Sequence, residues 1–226
     1  MPAFDRSLLP TEPDLSFELE LWKAGHAAVA GIDEAGRGAL AGPVAAAAVI
    51  LPPEVKLLED LRGVRDSKQM TAEQRDIARG KILRRAVCWG VGMATAGEID
   101  HLGILPATRL AVCRALDGLT IAPTHLLLDY LRIPEVDTPQ TALVKGDCRS
   151  LSIAAASVLA KTSRDALMGA MELEYPGYGF ARHKGYGTIA HREAIQRLGP
   201  SPAHRLSFTL LADENVLVED GSAESG

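Results

Sequence analysis

Two apolar segments close together in the chain, AVAGID from Ala28 and GPVAAAAVILP from Gly42, constrain its fold more than any other feature. Both are bounded by Gly and Pro and are separated by a glycine-rich stretch, as expected of buried strands joined by a tight turn. Ala, Val, Leu and Ile dominate while aromatic residues make up only 4%. That balance suits helices packed on a sheet better than an aromatic-rich sandwich, so an α/β fold is expected. At 226 residues and 47% hydrophobic the chain can bury one sizeable core, and nothing in its composition demands a second.

The remaining punctuation completes a coarse map. Residues 1–13 hold Pro2, Pro10 and Pro13 and read as an irregular lead-in, with Asp14 placed to cap a short helix to about Lys23. Thr71 and Gln74 form a capping-box pattern ahead of a helix to about Arg85, and AVCWGVGMATA from Ala86 reads as a third strand. A helix is expected over residues 105–116. HLLLDY from His125 reads as a short strand ending in a carboxylate, and TALVKGD from Thr141 as another. Between them LRIPEVDTPQ, with Pro134 and Pro139, reads as loop. The longest helix runs from Leu151 to about Leu173, with small apolar residues at helical spacing and no Pro. YPGYGFARHKGYGT follows, then a last helix to about Arg197, GPSPAHRLSF and a polar acidic end. The expected organisation is a lead-in over 1–13, one folded domain over 14–210 and a disordered acidic tail over 211–226.

Several function classes are disfavoured. Cys88, Cys113 and Cys148 lie apart without a CxxC pair, which suggests neither a disulfide framework nor a cysteine zinc site; they read as small core residues. The N-terminus carries acids where a signal peptide needs a basic head and an apolar run. No stretch approaches the ~20 apolar residues of a membrane helix. A soluble, cytoplasmic monomer with no membrane association and no obligate protein partner is expected. The 24 Lys and Arg against 29 Asp and Glu argue against a uniformly basic nucleic-acid coat. From Lys145 to Arg205, however, nine Lys or Arg stand against five acids, so a local basic docking face is expected there.

The chemistry concentrates in Gly31-Ile32-Asp33-Glu34-Ala35-Gly36-Arg37-Gly38, where two acids interrupt an apolar strand before a glycine turn. Burying two like charges is costly without a counter-charge, and a divalent cation would remove that cost. A strand end emerging into solvent is the plainer alternative. Because strand side chains alternate, a local irregularity is expected if both acids serve one site. Asp129 and Asp147 repeat the pattern of a carboxylate at the edge of an apolar run, although Lys145 and Arg149 also allow an ordinary ion pair for Asp147. Oxygen ligands without a His or Cys cluster favour Mg²⁺ or Mn²⁺ over zinc. Gly36 and Gly38 read as a turn needing positive φ, or as a backbone that a ligand approaches closely with Arg37 on a phosphate. Asp165 reads as a helix-surface acid. His183, His191 and His204 read as surface residues or backbone contacts.

Taken together, GIDEAGRGALAGPV, DSK at Asp66 to Lys68, LLLDY, KGD followed by SIAAASVLAKTSRD, and YPGYGFARHKGYGT with GPSPAHR resemble the bacterial ribonuclease HII family. The resemblance runs in order from about Ala28 to Phe208 and departs from the family at Tyr130, where a small residue is frequent. It implies a ribonuclease H-like fold, a mixed five-stranded sheet flanked by helices with a helical C-terminal extension. It further implies an active site of Asp33, Glu34, Asp129 and Asp147 binding two divalent ions. By the same resemblance the Gly36-Arg37-Gly38 backbone reads a ribose 2′-hydroxyl, Tyr186 packs on the adjoining deoxyribose, and Lys68 and Lys184 lie near phosphates. The implied substrates are RNA/DNA hybrids and duplex DNA containing ribonucleotides, cut to 5′-phosphate and 3′-hydroxyl ends. The alternatives are a DNA-cutting nuclease of the same fold and a non-catalytic hybrid-binding module.

Overall fold

In the computed structural model, which describes residues 9–211, a five-stranded mixed sheet is covered by helices on both faces. In chain order the elements are α1 (Ser16–Lys23), β1 (Val29–Ala35), β2 (Val44–Ile50), α2 (Leu57–Asp60), α3 (Ala72–Arg85), β3 (Cys88–Ala94), α4 (Ala96–Leu102), α5 (Ile104–Asp117), β4 (His125–Asp129), β5 (Gln140–Leu143), α6 (Leu151–Glu174), α7 (Phe180–His183) and α8 (Ile189–Leu198). The strand order is β3-β2-β1-β4-β5. β1, β2 and β3 pair antiparallel, whereas β4 and β5 add parallel to β1. A parallel neighbour requires a crossover, and α4 and α5 supply it between β3 and β4.

β2 shows why the apolar runs do not alternate. All seven residues of VAAAAVI are buried. Ala47 and Val49 join the core under α6 and α3, while Ala46, Ala48 and Ile50 join the core under α5. A strand covered on both faces has no polar side to show.

Most expected elements are present. α1 is present, but its N-cap is Leu15, and Asp14, one residue earlier than a cap, accepts from the Ser16 N–H at 2.8 Å. Thr71 and Gln74 cap α3 reciprocally, at 3.2 and 3.0 Å. α6 spans Leu151–Glu174. Three short helices go beyond those expected from the sequence: α2, α4 with its own Thr95–Glu98 capping box, and α7 inside the glycine-rich segment. One element is corrected. β5 stops at Leu143, Lys145 turns into the left-handed region (φ 57°), and Asp147 sits on a 3-10 turn at Gly146–Cys148, not on a strand end. The Gly146 N–H leaves the ladder to donate to Asp129 Oδ1 at 2.8 Å, which holds that turn against β4. No helix of the described residues is long and apolar enough to cross a membrane. Most of the acidic tail lies outside the described residues.

Candidate active site

β1 remains in register with β2 through Ala35, opposite Ala45, so the irregularity expected at the two acids is absent. Asp33 and Glu34 therefore leave on opposite faces of the sheet. The neighbouring strand brings carboxylates together instead. The β1–β4 ladder ends at Ile32 opposite Leu128, which leaves the next residues of both strands, Asp33 and Asp129, adjacent at its carboxyl edge. The turn behind β5 adds Asp147 through the Gly146 bond to Asp129.

These acids are buried beyond what their partners compensate. Asp33 is 3% exposed; its Oδ1 accepts from the Glu34 N–H at 2.7 Å, and its Oδ2 has no partner. Burial first, then the charges of Glu34 and Asp129, push its carboxyl well above the usual carboxylate range. Asp147 is 2% exposed with a partnerless Oδ1, and burial and Asp129 push it up as well. Asp129 is raised by burial despite the Gly146 N–H. Glu34 differs, because its Oε1 accepts from Arg37 at 3.0 Å. Burial opposes the Lys68 ammonium, yet Asp33, Asp66, Asp147 and Asp129 outweigh it and hold Lys68 above its ordinary value. Asp66, Asp147 and Cys148 can bring ligand atoms within 4.8 Å of one another. Cys148 thus stands beside the acids, outside the core, and Asp66 is a site neighbour that sequence reasoning passed over.

The glycine turn is held from beneath. Gly36 has φ 90°, and a Cβ there would collide with the Arg164 guanidinium. Gly38 has no positive φ and open space where its Cβ would lie, which corrects the expectation that both glycines serve the turn. Arg164, fully buried, donates to the carbonyls of Pro43, Ala41 and Lys184 at 2.8, 3.0 and 2.9 Å. Arg205, also fully buried, donates to Gly42, Arg37 and Gly36 at 3.0, 2.8 and 2.7 Å. Sequence reasoning counted both as surface charge. The spacing held a signal for Arg164, since Ala156, Ala160, Arg164 and Met168 share the buried face of α6.

Glu34, Gly36, Arg37, Gly38, Lys68 and Tyr186 all line one groove of about 860 Å³. Arg75 and Lys161 add to its positive wall. The basic side of the groove is thus drawn from Arg37, Lys68, Arg75 and Lys161, rather than from residues 145–205 alone. Lys184 does not line it; its ammonium lies 3.4 Å from the Asp165 carbonyl. Asp165 is ion-paired with Lys161 at 2.7 Å, in keeping with a structural role. Tyr130, exposed at 74% with φ 62°, takes a backbone conformation that favours small residues and points into solvent. Of the two readings of the histidines the backbone contact holds: His183 and His191 meet the Tyr178 and Tyr186 carbonyls at 2.7 and 2.9 Å, and His204 accepts from the Ser201 N–H at 2.9 Å. His191 and His204 are buried against Phe180 and Tyr178, not on the surface.

A family model described as Ribonuclease HII matches residues 30–211. Ribonuclease HII of Chloroflexus aurantiacus is 54% identical over 197 residues, covering 87% of this chain and 93% of that protein. Ribonuclease H2 from Pyrococcus horikoshii OT3 superposes with a TM-score of 0.65 at 28% identity, covering 80% of this chain and 94% of that one. Bst-RNase HIII in complex with Mn²⁺ shares the fold at a TM-score of 0.64 and 17% identity, covering 81% of this chain and 67% of that one. Sheet order, flanking helices and these likenesses place the protein among nucleases of the ribonuclease H-like fold. Within that class the chain belongs to the ribonuclease HII family. It is accordingly a nuclease hydrolase, and the family supports ribonuclease H activity on RNA/DNA hybrids.

Proposed function

We propose that the folded domain, residues 14–210, is an endonuclease that cuts the RNA strand of RNA/DNA hybrids and incises duplex DNA at embedded ribonucleotides. In this reading it leaves 5′-phosphate and 3′-hydroxyl ends. Asp33, Glu34, Asp129 and Asp147 hold two divalent ions, Mg²⁺ or Mn²⁺. The observation that carries the reading is the pair of buried, partnerless carboxylate oxygens on Asp33 and Asp147 at one edge of the sheet. Buried carboxylates that repel one another fit a cation, and an all-oxygen set fits a hard one. When bound, such ions supply activation of water and stabilisation of the departing 3′-oxygen.

The chain's own residues do the rest. Lys68, kept charged by the acids, and Arg37 meet phosphate oxygens from the groove wall; Lys184, whose ammonium rests on the Asp165 carbonyl, would have to leave that contact to join them. The Gly36-Arg37-Gly38 backbone, its carbonyls tied down by Arg205, offers a rigid surface to the 2′-hydroxyl, the sugar group that separates RNA from DNA. Open space at Gly38 lets the sugar approach. The Tyr186 ring packs on the deoxyribose beyond the junction.

The test compares cleavage of a single embedded ribonucleotide, an all-RNA/DNA hybrid and an all-DNA duplex in Mg²⁺, by wild type and Asp33→Asn. Wild type is expected to cut the first two only, and Asp33→Asn to lose on the order of 10³-fold in rate. Efficient cutting of all-DNA duplex, or near-normal turnover by the folded variant, would overturn the reading.

A further inference from the structure

Behind the groove, three histidines gather around Phe180, which is fully buried. His183 and His191 stack with ring centroids 4.3 Å apart, and His191 and His204 lie at 5.2 Å. Their hydrogen bonds leave one consistent arrangement of protons. The Ser201 N–H donates to His204 Nδ1 at 2.9 Å, so the proton of His204 sits on Nε2. That Nε2–H faces His191 Nε2 at 3.1 Å, which must accept. The proton of His191 is then on Nδ1 and donates to the Tyr186 carbonyl at 2.9 Å. Burial holds His191 down to about 4 and His204 below its ordinary value, so both rings are neutral at pH 7.

The two ends of this chain of bonds are what give it a role. At one end Tyr186 presents its ring to the groove, with the Arg164 guanidinium 5.4 Å from the ring centre. At the other, the Ser201–His204 segment leads into Arg205, which holds the Gly36 and Arg37 carbonyls. The Ala203 carbonyl also accepts from the Gly42 N–H at 2.8 Å. The imidazole pair thus ties Tyr186 to the segment that holds the glycine turn. Apolar rings could fill the same space around Phe180 without the desolvation cost of two imidazoles. What the polar pair adds is a defined direction and distance.

We infer that His191 and His204 are positioning residues for the ribose-to-deoxyribose junction. Their hydrogen bond sets where Tyr186 stands relative to the Gly36-Arg37-Gly38 turn. The inference deepens the proposed function and rests on its reading of Tyr186. Neither imidazole touches substrate.

The experiment is a double-mutant cycle read as a ratio, the cleavage rate on a single embedded ribonucleotide divided by that on an all-RNA/DNA hybrid. His191→Phe keeps a ring but removes both hydrogen bonds, and is expected to lower the ratio about tenfold. His191→Asn keeps a donor toward Tyr186 and loses the link to His204, so a smaller loss of about threefold is expected. In a Tyr186→Ala background neither substitution should lower the ratio further. Loss of packing alone would slow both substrates equally and leave the ratio unmoved. An unchanged ratio in His191→Phe, or in His191→Asn if only that variant folds, would overturn the inference. So would losses that multiply with Tyr186→Ala. If Tyr186→Ala itself leaves the ratio unchanged, the reading of Tyr186 falls first and takes the inference with it. A changed ratio in Tyr186→Ala beside an unchanged one in the His191 variants sinks the inference alone.

Discussion

The carboxyl edge of the sheet and the glycine turn just beyond it treat their polar groups in opposite ways. At the edge, Asp33 and Asp147 keep buried oxygens without partners and their carboxyls are pushed upward. At the turn, the carbonyls of Gly36, Arg37, Ala41, Gly42 and Pro43 each receive a guanidinium N–H from Arg164 or Arg205. Unpaired, mutually repelling ligands suit a centre that would accept a cation, as the proposed function requires. On the same proposal, a surface that reads one hydroxyl is served by a backbone held in place. Both arrangements fall within one short stretch of chain, because β1 runs past the end of its ladder with β4 at Ile32 and turns at Gly36.

The largest effect that sharpens this contrast is at Gly36. Gly36→Ala demands a left-handed alanine whose methyl displaces the buried Arg164 guanidinium, so a loss of about 3 kcal/mol or more is expected in denaturant unfolding. Gly38→Ala meets open space and is expected to stay within about 0.5 kcal/mol of wild type, while its methyl in the groove slows cleavage. Equal destabilisation by the two substitutions would break the distinction between a braced position and an open one.

A smaller effect tests the edge. In the unfolded chain an aspartate loses its proton near pH 4, whereas Asp33 in the folded, metal-free protein keeps it to higher pH. The folded state then binds more protons in that window, and the stability from Asp33 is lost as pH rises through its folded value. Relative to Asp33→Asn, the metal-free wild type should therefore lose stability, on the order of 1 kcal/mol, as pH climbs from about 4 toward neutrality. Thermal unfolding of both proteins across that range is the measurement. A wild type that gains on the variant as pH rises would mean that Asp33 is stabilised as a carboxylate.

How much of this was legible depended on how far each determinant reaches along the chain. Asp33 and Asp129 stood out because each interrupts or ends an apolar run, which is local information. The placement of Asp147 was not, since a left-handed Lys145 and a bond from Gly146 to Asp129 set it, 17 residues apart. Arg164 and Arg205 looked like surface charge because their partners are carbonyls 121 and 169 residues away. The expected bulge at Asp33 and Glu34 failed for a related reason. Alternation holds along β1: the parallel register with β4 supplies Asp129 beside Asp33, while Glu34 leaves on the other face and reaches the groove with Arg37. His191 and His204, 13 residues apart, carried no spacing that marked them as a bonded pair.

On the proposed function, the acids at the sheet's carboxyl edge form the metal centre. Calorimetric titration of Mn²⁺ into metal-free wild type and Asp33→Asn, with folding of both verified, tests it most directly. Saturable binding to wild type is expected, weakened by about 10–100-fold or more in the variant. Equal affinity and stoichiometry in the two proteins would contradict it.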